Sequence, residues 1–168
     1  MWRGGRLATI PCPAPAGSRG PRVHPVGDAL YVTAFGEALR RLVDGRLERV
    51  VDDPVFRENF VVAIEPSPAP AGGGARVFLT AERGWFELRD GRVTPWATPM
   101  NASLAGKRVR SFVRSPDGSA AVSFATASGN GGMLFGADGK FRVRLDESIG
   151  LRNRALRDFC PDTEGGLW

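Results

Sequence analysis

A unit of about 47 residues recurs along this chain of 168 residues, and such a period leaves few folds open. Shifted by 47, Leu104 falls on Leu151, Lys107 on Arg154, Val109 on Leu156, Arg110 on Arg157, Phe112 on Phe159 and Gly118 on Gly165. Shifted by 48, Phe56 falls on Leu104, Val61 on Val109, Ile64 on Phe112, Gly84 on Gly132 and Asp90 on Asp138. A second series runs in step with the first. Asp44-Gly45, Asp90-Gly91 and Asp138-Gly139 stand 46 and 48 residues apart, each followed two positions on by Leu47, Val93 or Phe141. Asp-Gly between apolar residues favours a two-residue hairpin, because a type I′ turn needs positive φ at both central residues. One such hairpin is expected in each unit.

Within the unit, short apolar stretches are separated by turn residues. In the third copy the pattern predicts strands over 108–113, 120–125, 133–135 and 140–145, with turns at Ser115-Pro116-Asp117-Gly118 and at Gly131-Gly132. The second copy reads the same way through 61–64, 77–80, 85–88 and 92–96. The first shows 29–34, 38–42 and 46–51, with a fainter opening strand over 22–26. No stretch holds a helical period; 35–43 comes closest and is interrupted by Gly36. Four antiparallel strands in about 47 residues have the size and content of one β-propeller blade. A β-sandwich gives no reason for a four-strand unit to recur in register, and solenoid repeats of this length are helical pairs. The expected fold is all-β, a partial β-propeller of about three four-stranded antiparallel blades repeating every 46 to 48 residues. Blades are expected over 27–55 in part, 56–103 and 104–150, with the truncated start of another at 151–168. Residues 1–26 read either as the end of a preceding blade or as an N-terminal strand, followed by a Pro/Ala/Gly connector.

Composition narrows the function classes. The longest purely apolar run, 60–64, is far below the roughly 20 residues of a membrane-spanning helix. Cys12 and Cys160 lie near opposite ends with no Cys-x-x-Cys, and His24 is the single histidine, so no metal site and no cofactor is expected. The net charge of +5 rests on arginines spread among acids, with only Lys107 and Lys140 as lysines, which describes a mildly basic solvated surface rather than a nucleic-acid face. Nucleophile-elbow, zinc-protease and phosphate-loop motifs are missing, so no catalytic residues and no enzyme are expected. His24 beside Pro25 reads as a loop residue, Asp52-Asp53 as a solvated turn, and 129–132 as a Gly-rich hairpin tip. Trp2, Trp85, Trp96 and Trp168 suit a sugar or aromatic ligand, yet Trp85 and Trp96 fall on strands, where blade-to-blade packing is the expected use.

The C-terminal copy carries a recognisable motif. Gly150-Leu151-Arg152-Asn153-Arg154-Ala155-Leu156-Arg157-Asp158-Phe159, followed by Asp162-Thr163-Glu164-Gly165-Gly166-Leu167-Trp168, resembles the signature of the two-component regulator propeller repeats, which closes on Asp-x-x-Gly-x-Leu-Trp. Degraded copies precede it: residues 115–121 stand at the Asp-x-x-Gly place, and Leu79-Thr80 and Ala125-Thr126 near the Gly-Thr step that follows it. The second copy is stretched by an insertion over 67–74. The resemblance covers roughly residues 27–168, and only the last copy is strongly specific.

The resemblance implies a structural role for Leu151, Asn153, Asp162, Gly165, Leu167 and Trp168, beside the turn residues Asp44, Gly45, Asp90, Gly91, Asp138 and Gly139. It also implies a periplasmic or otherwise extracytoplasmic sensor portion of a bacterial hybrid histidine kinase or diguanylate cyclase. The implied partners are the remaining blades, a downstream signalling module, and a small-molecule or glycan ligand. No signal peptide is visible, since the apolar stretch 7–10 is too short. Because the chain stops on the Trp of the signature, a fragment of a longer protein is expected. Two functions compete. In the first, a sensor propeller binds a ligand on the face formed by the interblade segments 51–59, 98–106 and 147–153, with Asp53, Arg57, Asn101, Arg152 and Asn153 as candidate contacts. In the second, the same loops hold a protein partner and the propeller is an interaction scaffold.

Overall fold

The computed structural model describes residues 2–3, 6–7, 9–12, 20–67, 76–127, 129–152, 156–160, 162 and 166. Two short strands, β1 (Trp2–Arg3) and β2 (Arg6–Leu7), pair with each other. Three four-stranded antiparallel sheets follow, each made of consecutive strands. The first holds β3 (Arg22–Val26), β4 (Ala29–Thr33), β5 (Leu39–Val43) and β6 (Arg46–Val51). The second holds β7 (Val61–Pro66), β8 (Arg76–Thr80), β9 (Gly84–Arg89) and β10 (Arg92–Pro95). The third holds β11 (Arg108–Arg114), β12 (Ala120–Thr126), β13 (Gly129–Phe135) and β14 (Phe141–Leu145). The all-β architecture of three four-stranded blades is therefore the observed one.

Each sheet is followed by a single helical turn: α1 (Pro54–Glu58), α2 (Met100–Leu104) and a 3-10 turn at Glu147–Ile149. These turns are too short to show a helical period, which is why the sequence pattern read them as plain connectors. In the first and third of them the local signal is capping. Asp53 accepts the Val55 N–H at 2.9 Å with Pro54 at the first position, and Asp146 accepts the Ser148 N–H at 2.9 Å. Apolar residues of the helical turns, Phe56 in α1 with Met100 and Leu104 in α2, plug the gaps between sheets.

The middle sheet explains the unbroken apolar runs. Val77, Leu79 and Trp85 belong to the core shared with the third sheet, whereas Phe78, Phe86 and Leu88 belong to the core shared with the first. Successive side chains of a strand point to opposite faces, so a strand packed on both faces must be apolar at every position rather than at alternate ones. Among the described residues, this sheet contributes to both cores. The Phe56–Phe78–Phe86 stack, with ring centroids 4.4 and 5.6 Å apart, fills one face, and the Trp85 edge contacts to Trp96 and Phe112, at 5.7 and 5.1 Å, fill the other.

The Asp-Gly hairpins divide into two kinds. Asp44-Gly45 and Asp90-Gly91 have positive φ at both residues, 48° and 80° in the first and 50° and 74° in the second, as a type I′ turn requires. Asp138-Gly139 differs. Only Gly139 is left-handed, at 73°, and its N–H bonds to the Gly136 carbonyl at 2.8 Å while the Gly136 N–H bonds to the Lys140 carbonyl at 3.0 Å. That is a type I turn closed by a glycine bulge, and the pairing of β13 with β14 shifts by one residue beside it. Ser115-Pro116-Asp117-Gly118-Ser119 repeats the same geometry, with Gly118 at 85° and equivalent bonds of 2.9 and 2.8 Å.

A further correction concerns Gly131-Gly132, expected as a turn and as the counterpart of Gly84. Both lie inside β13, and the turn falls instead between Thr126 and Gly129. Gly129 is the true counterpart of Gly84: the Thr80 hydroxyl donates to the Gly84 carbonyl at 3.1 Å, and the Thr126 hydroxyl to that of Gly129 at 3.0 Å. The paired glycines serve packing, since a Cβ at Gly131 would meet the Phe124 ring at 2.9 Å and one at Gly132 would meet Leu156 at 2.7 Å.

Candidate functional site: a cleft along the first strands

The first strands of the three sheets, β3, β7 and β11, lie next to one another. Backbone bonds tie the blades together: Val109 N–H to the Ala81 carbonyl at 2.6 Å and Gly36 N–H to the Arg57 carbonyl at 2.9 Å, while Ala81 N–H to the Phe60 carbonyl at 2.8 Å extends the second blade's own β7–β8 pairing. Arg114 of β11 grips Glu65 of β7 through Nε and Nη2 at 2.8 to 3.0 Å, with Nη1 on the Gly118 carbonyl at 2.9 Å. A two-pronged guanidinium bond of this kind fixes angle as well as distance.

Along these strands runs an open cleft of about 590 Å³, within the size range of small-molecule sites. Arg22 enters it from β3, Phe60 and Val62 from the start of β7, Arg108 and Arg110 from β11, and Arg157 with Asp158 from the C-terminal segment. A bulge positions two of these side chains. The β7–β8 ladder skips Val62, and the β11–β12 ladder skips Arg110, so the same strand position is unpaired in both blades. A bulge bends its strand and re-aims the extra side chain. Arg157 follows Arg110 by one repeat of 47 residues, and its carbonyl accepts the Ser123 hydroxyl at 2.8 Å, which moors the C-terminal segment on the third sheet.

The electrostatics are one-sided. Arg108 pairs with Glu82 at 3.2 Å, while Arg22, Arg110 and Arg157 are exposed and have no ion-pair partner among the described residues. Among the described residues, Asp158 is the single carboxylate of the lining. His24, two residues from Arg22, is buried with Nε2 2.9 Å from the Thr33 hydroxyl; burial chiefly, and then the Arg22 charge, push its pKa down to about 4. The ring is neutral at ordinary pH and belongs to the core rather than to a loop.

The interblade candidates stand apart from the cleft. Asp53 caps α1, and Arg57 at its end forms a fork with Asp52, Nε to Oδ1 at 2.7 Å and Nη2 to Oδ2 at 2.5 Å, which holds the Asp52 carboxyl below its usual range. Asn101 of α2 turns inward, its amide donating to the Trp96 carbonyl at 2.9 Å and its oxygen lying 3.4 Å from the Trp85 N–H. Arg152 is exposed. Asn153 lies outside the described residues, as do Gly165, Leu167 and Trp168 of the signature. No hydrogen bond joins Asp53, Arg57, Asn101 and Arg152 to one another, and none of them lines the cleft. Of the signature, Asp162 closes a turn with Gly166: Asp162 N–H bonds to the Gly166 carbonyl at 3.0 Å and Gly166 N–H to Oδ1 at 2.6 Å. Ser115 N–H to the Ser119 carbonyl, at 2.8 Å, is the same bond one repeat of 47 earlier.

The cleft arginines were missed by the sequence reading because they stand at 22, 108, 110 and 157 and never form a run. The signal that could have found them is the coincidence of Arg110 with Arg157 in the repeat register, which gives the third blade and the segment after it an arginine at the same position of the repeat.

Fold and site together define a class: consecutive four-stranded blades whose first strands border a shared cleft. No family model matches the chain, and no curated protein matches it. Among solved structures it is similar to the extracellular domain of a putative hybrid two-component system from B. thetaiotaomicron, with a TM-score of 0.46, 12% identity, and 87% of this chain covered. The chain spans 25% of that structure's length. Among the described residues no helix is long and apolar enough to cross a membrane.

Proposed function

We propose that the chain is part of an extracytoplasmic ligand-sensing β-propeller of a bacterial two-component-type signalling protein, and that the cleft along the first strands receives the ligand. The observation that supports this reading is the convergence of side chains from the three described blades, and from the segment after the third, on one concave site of about 590 Å³. A ligand there touches several blades at once, so its binding energy depends on how the blades sit against one another, and it can bias that arrangement. The resemblance of residues 150–168 to the sensor-propeller signature supports the signalling role and the compartment. Partners on this reading are the remaining blades and an output module.

Two measurements test it. A thermal-shift screen of the full chain against small metabolites and oligosaccharides is expected to yield a ligand whose stabilisation rises with concentration, as binding to the native state requires. An alkaline-phosphatase fusion to the natural gene product is expected to be active, as it is only outside the cytoplasm. An inactive fusion, or a screen in which only a protein partner binds, would favour the interaction scaffold instead.

A further inference from the structure

We infer that the ligand of this cleft is a small, multiply charged oxyanion, held by Arg22, Arg110 and Arg157; the inference rests on the cleft being the sensing site. Three guanidinium groups from three separate parts of the chain line the cleft with no ion-pair partner among the described residues. A guanidinium presents a fixed positive charge and a planar set of N–H donors to the cleft. A bound anion supplies the charge partner that the described residues do not. The planar fork of each guanidinium matches two oxygens of one carboxylate, phosphate or sulfate group, and three forks suit a ligand carrying two or more such groups.

The remaining lining refines the class. Phe60 and Val62 give the cleft an apolar wall against which an uncharged ligand body can pack. Asp158 opposes an anion placed beside it and accepts from a hydroxyl, so the charged groups belong near Arg22, Arg110 and Arg157 and any hydroxyl near Asp158. Arg108 is a weaker participant because Glu82 already neutralises it at 3.2 Å. Arginine at 110 and 157 on the third-blade side and at 22 on the first-blade side, with Val62 at the equivalent bulge of the second blade between them, makes the cleft basic on both flanks and apolar in the middle. A molecule with charged groups toward both ends and a less polar middle fits that arrangement.

The test uses citrate and inorganic tripolyphosphate as probes, titrated into the full chain by calorimetry and by amide chemical shifts, at constant ionic strength with chloride as the reference. Saturable binding is expected, with amide shifts concentrated at the cleft. Arg110→Gln and Arg157→Gln are each expected to weaken it about tenfold, Arg110→Lys less, since the charge is kept and the fork lost. Arg46→Gln, on the outer strand β6, is expected to leave it unchanged. Circular dichroism of each variant separates lost binding from lost folding, and the Lys variant serves if the Gln variant fails to fold. Equal weakening by Arg46→Gln would mean diffuse charge attraction and would overturn the inference. Cleft shifts with a neutral oligosaccharide and none with either anion would also overturn it, while leaving the sensing reading in place. No stabilisation by any small molecule in the thermal-shift screen, together with no amide shift at the cleft for either anion, would overturn both.

Discussion

Single residues carry the sharpest consequences of blade packing. His24 is buried, and its folded pKa of about 4 lies below its ordinary 6.5, so the unfolded chain binds more protons between those values. The stability due to the neutral ring is complete above pH 6.5 and is lost as pH falls through 4, a loss of about 3 kcal/mol for a shift of this size. Urea midpoints measured at pH 7.5, 5.5 and 4 are expected to fall steadily, and His24→Gln to flatten that slope. The glycines of β13 give a second test. A Cβ at Gly132 would meet Leu156 at 2.7 Å and Leu145 at 3.1 Å, so Gly132→Ala is expected to cost about 1–3 kcal/mol by overpacking. Gly20→Ala, with nothing within 4 Å of its Cβ, is the control that leaves the melting temperature nearly unchanged.

At the scale of elements, turn geometry decides what each hairpin tolerates. Pro116 occupies the second position of a type I turn, and Ala137 holds the equivalent place in 136–140 with negative φ. Proline pre-sets that conformation, so Ala137→Pro is expected to stabilise the chain by about 0.4–1 kcal/mol, raising the melting temperature by a few degrees. The same residue at Asp90 is expected to destabilise, because φ there is 50° and proline is locked near −65°. Calorimetric scans of the two variants side by side distinguish the turn types: a shift in the same direction for both would contradict them. The third turn reads as Asp-Gly like the other two, yet the extra residues around it, Gly136 to Lys140, allow a bulged loop, and sequence alone does not choose between the two forms.

Among the described residues, the blades are held by two apolar cores that share the middle sheet and by two charged pairs between the second and third blades, of which Arg114–Glu65 is the better covered. Arg114 and Glu65 are both largely covered, and removing the carboxylate leaves a partly buried guanidinium with the Gly118 carbonyl and the Phe112 ring as its remaining contacts. Glu65→Ala is therefore expected to lower stability by about 1–3 kcal/mol, read as a shift of the urea midpoint, with Glu65→Gln recovering part of it. Such a loss concerns the contact between the second and third blades, so amide exchange is expected to quicken at Val109 and Phe112 before it does at Val26 or Tyr31.

The repeat, the strand content and most strand positions were determined by the sequence itself, because apolar stretches of four to seven residues punctuated by Asp-Gly and Ser-Pro-Asp-Gly turns carry their own local reasons for chain reversal. Even the continuous apolar run of 77–79 reports its environment, since only a sheet covered on both faces buries every position. The cleft was decided by tertiary structure. Arg22, Arg110 and Arg157 are separated by 88 and 47 residues, and no local rule links them. Arg22 and Arg110 share a site because the sheets present their first strands to the same side and a bulge interrupts the ladder at Arg110, and Arg157 joins them because the Ser123 hydroxyl moors the C-terminal segment on the third sheet. Propensity and periodicity act over a turn or a hairpin, whereas the approach of three first strands depends on how the apolar faces of whole sheets close on one another.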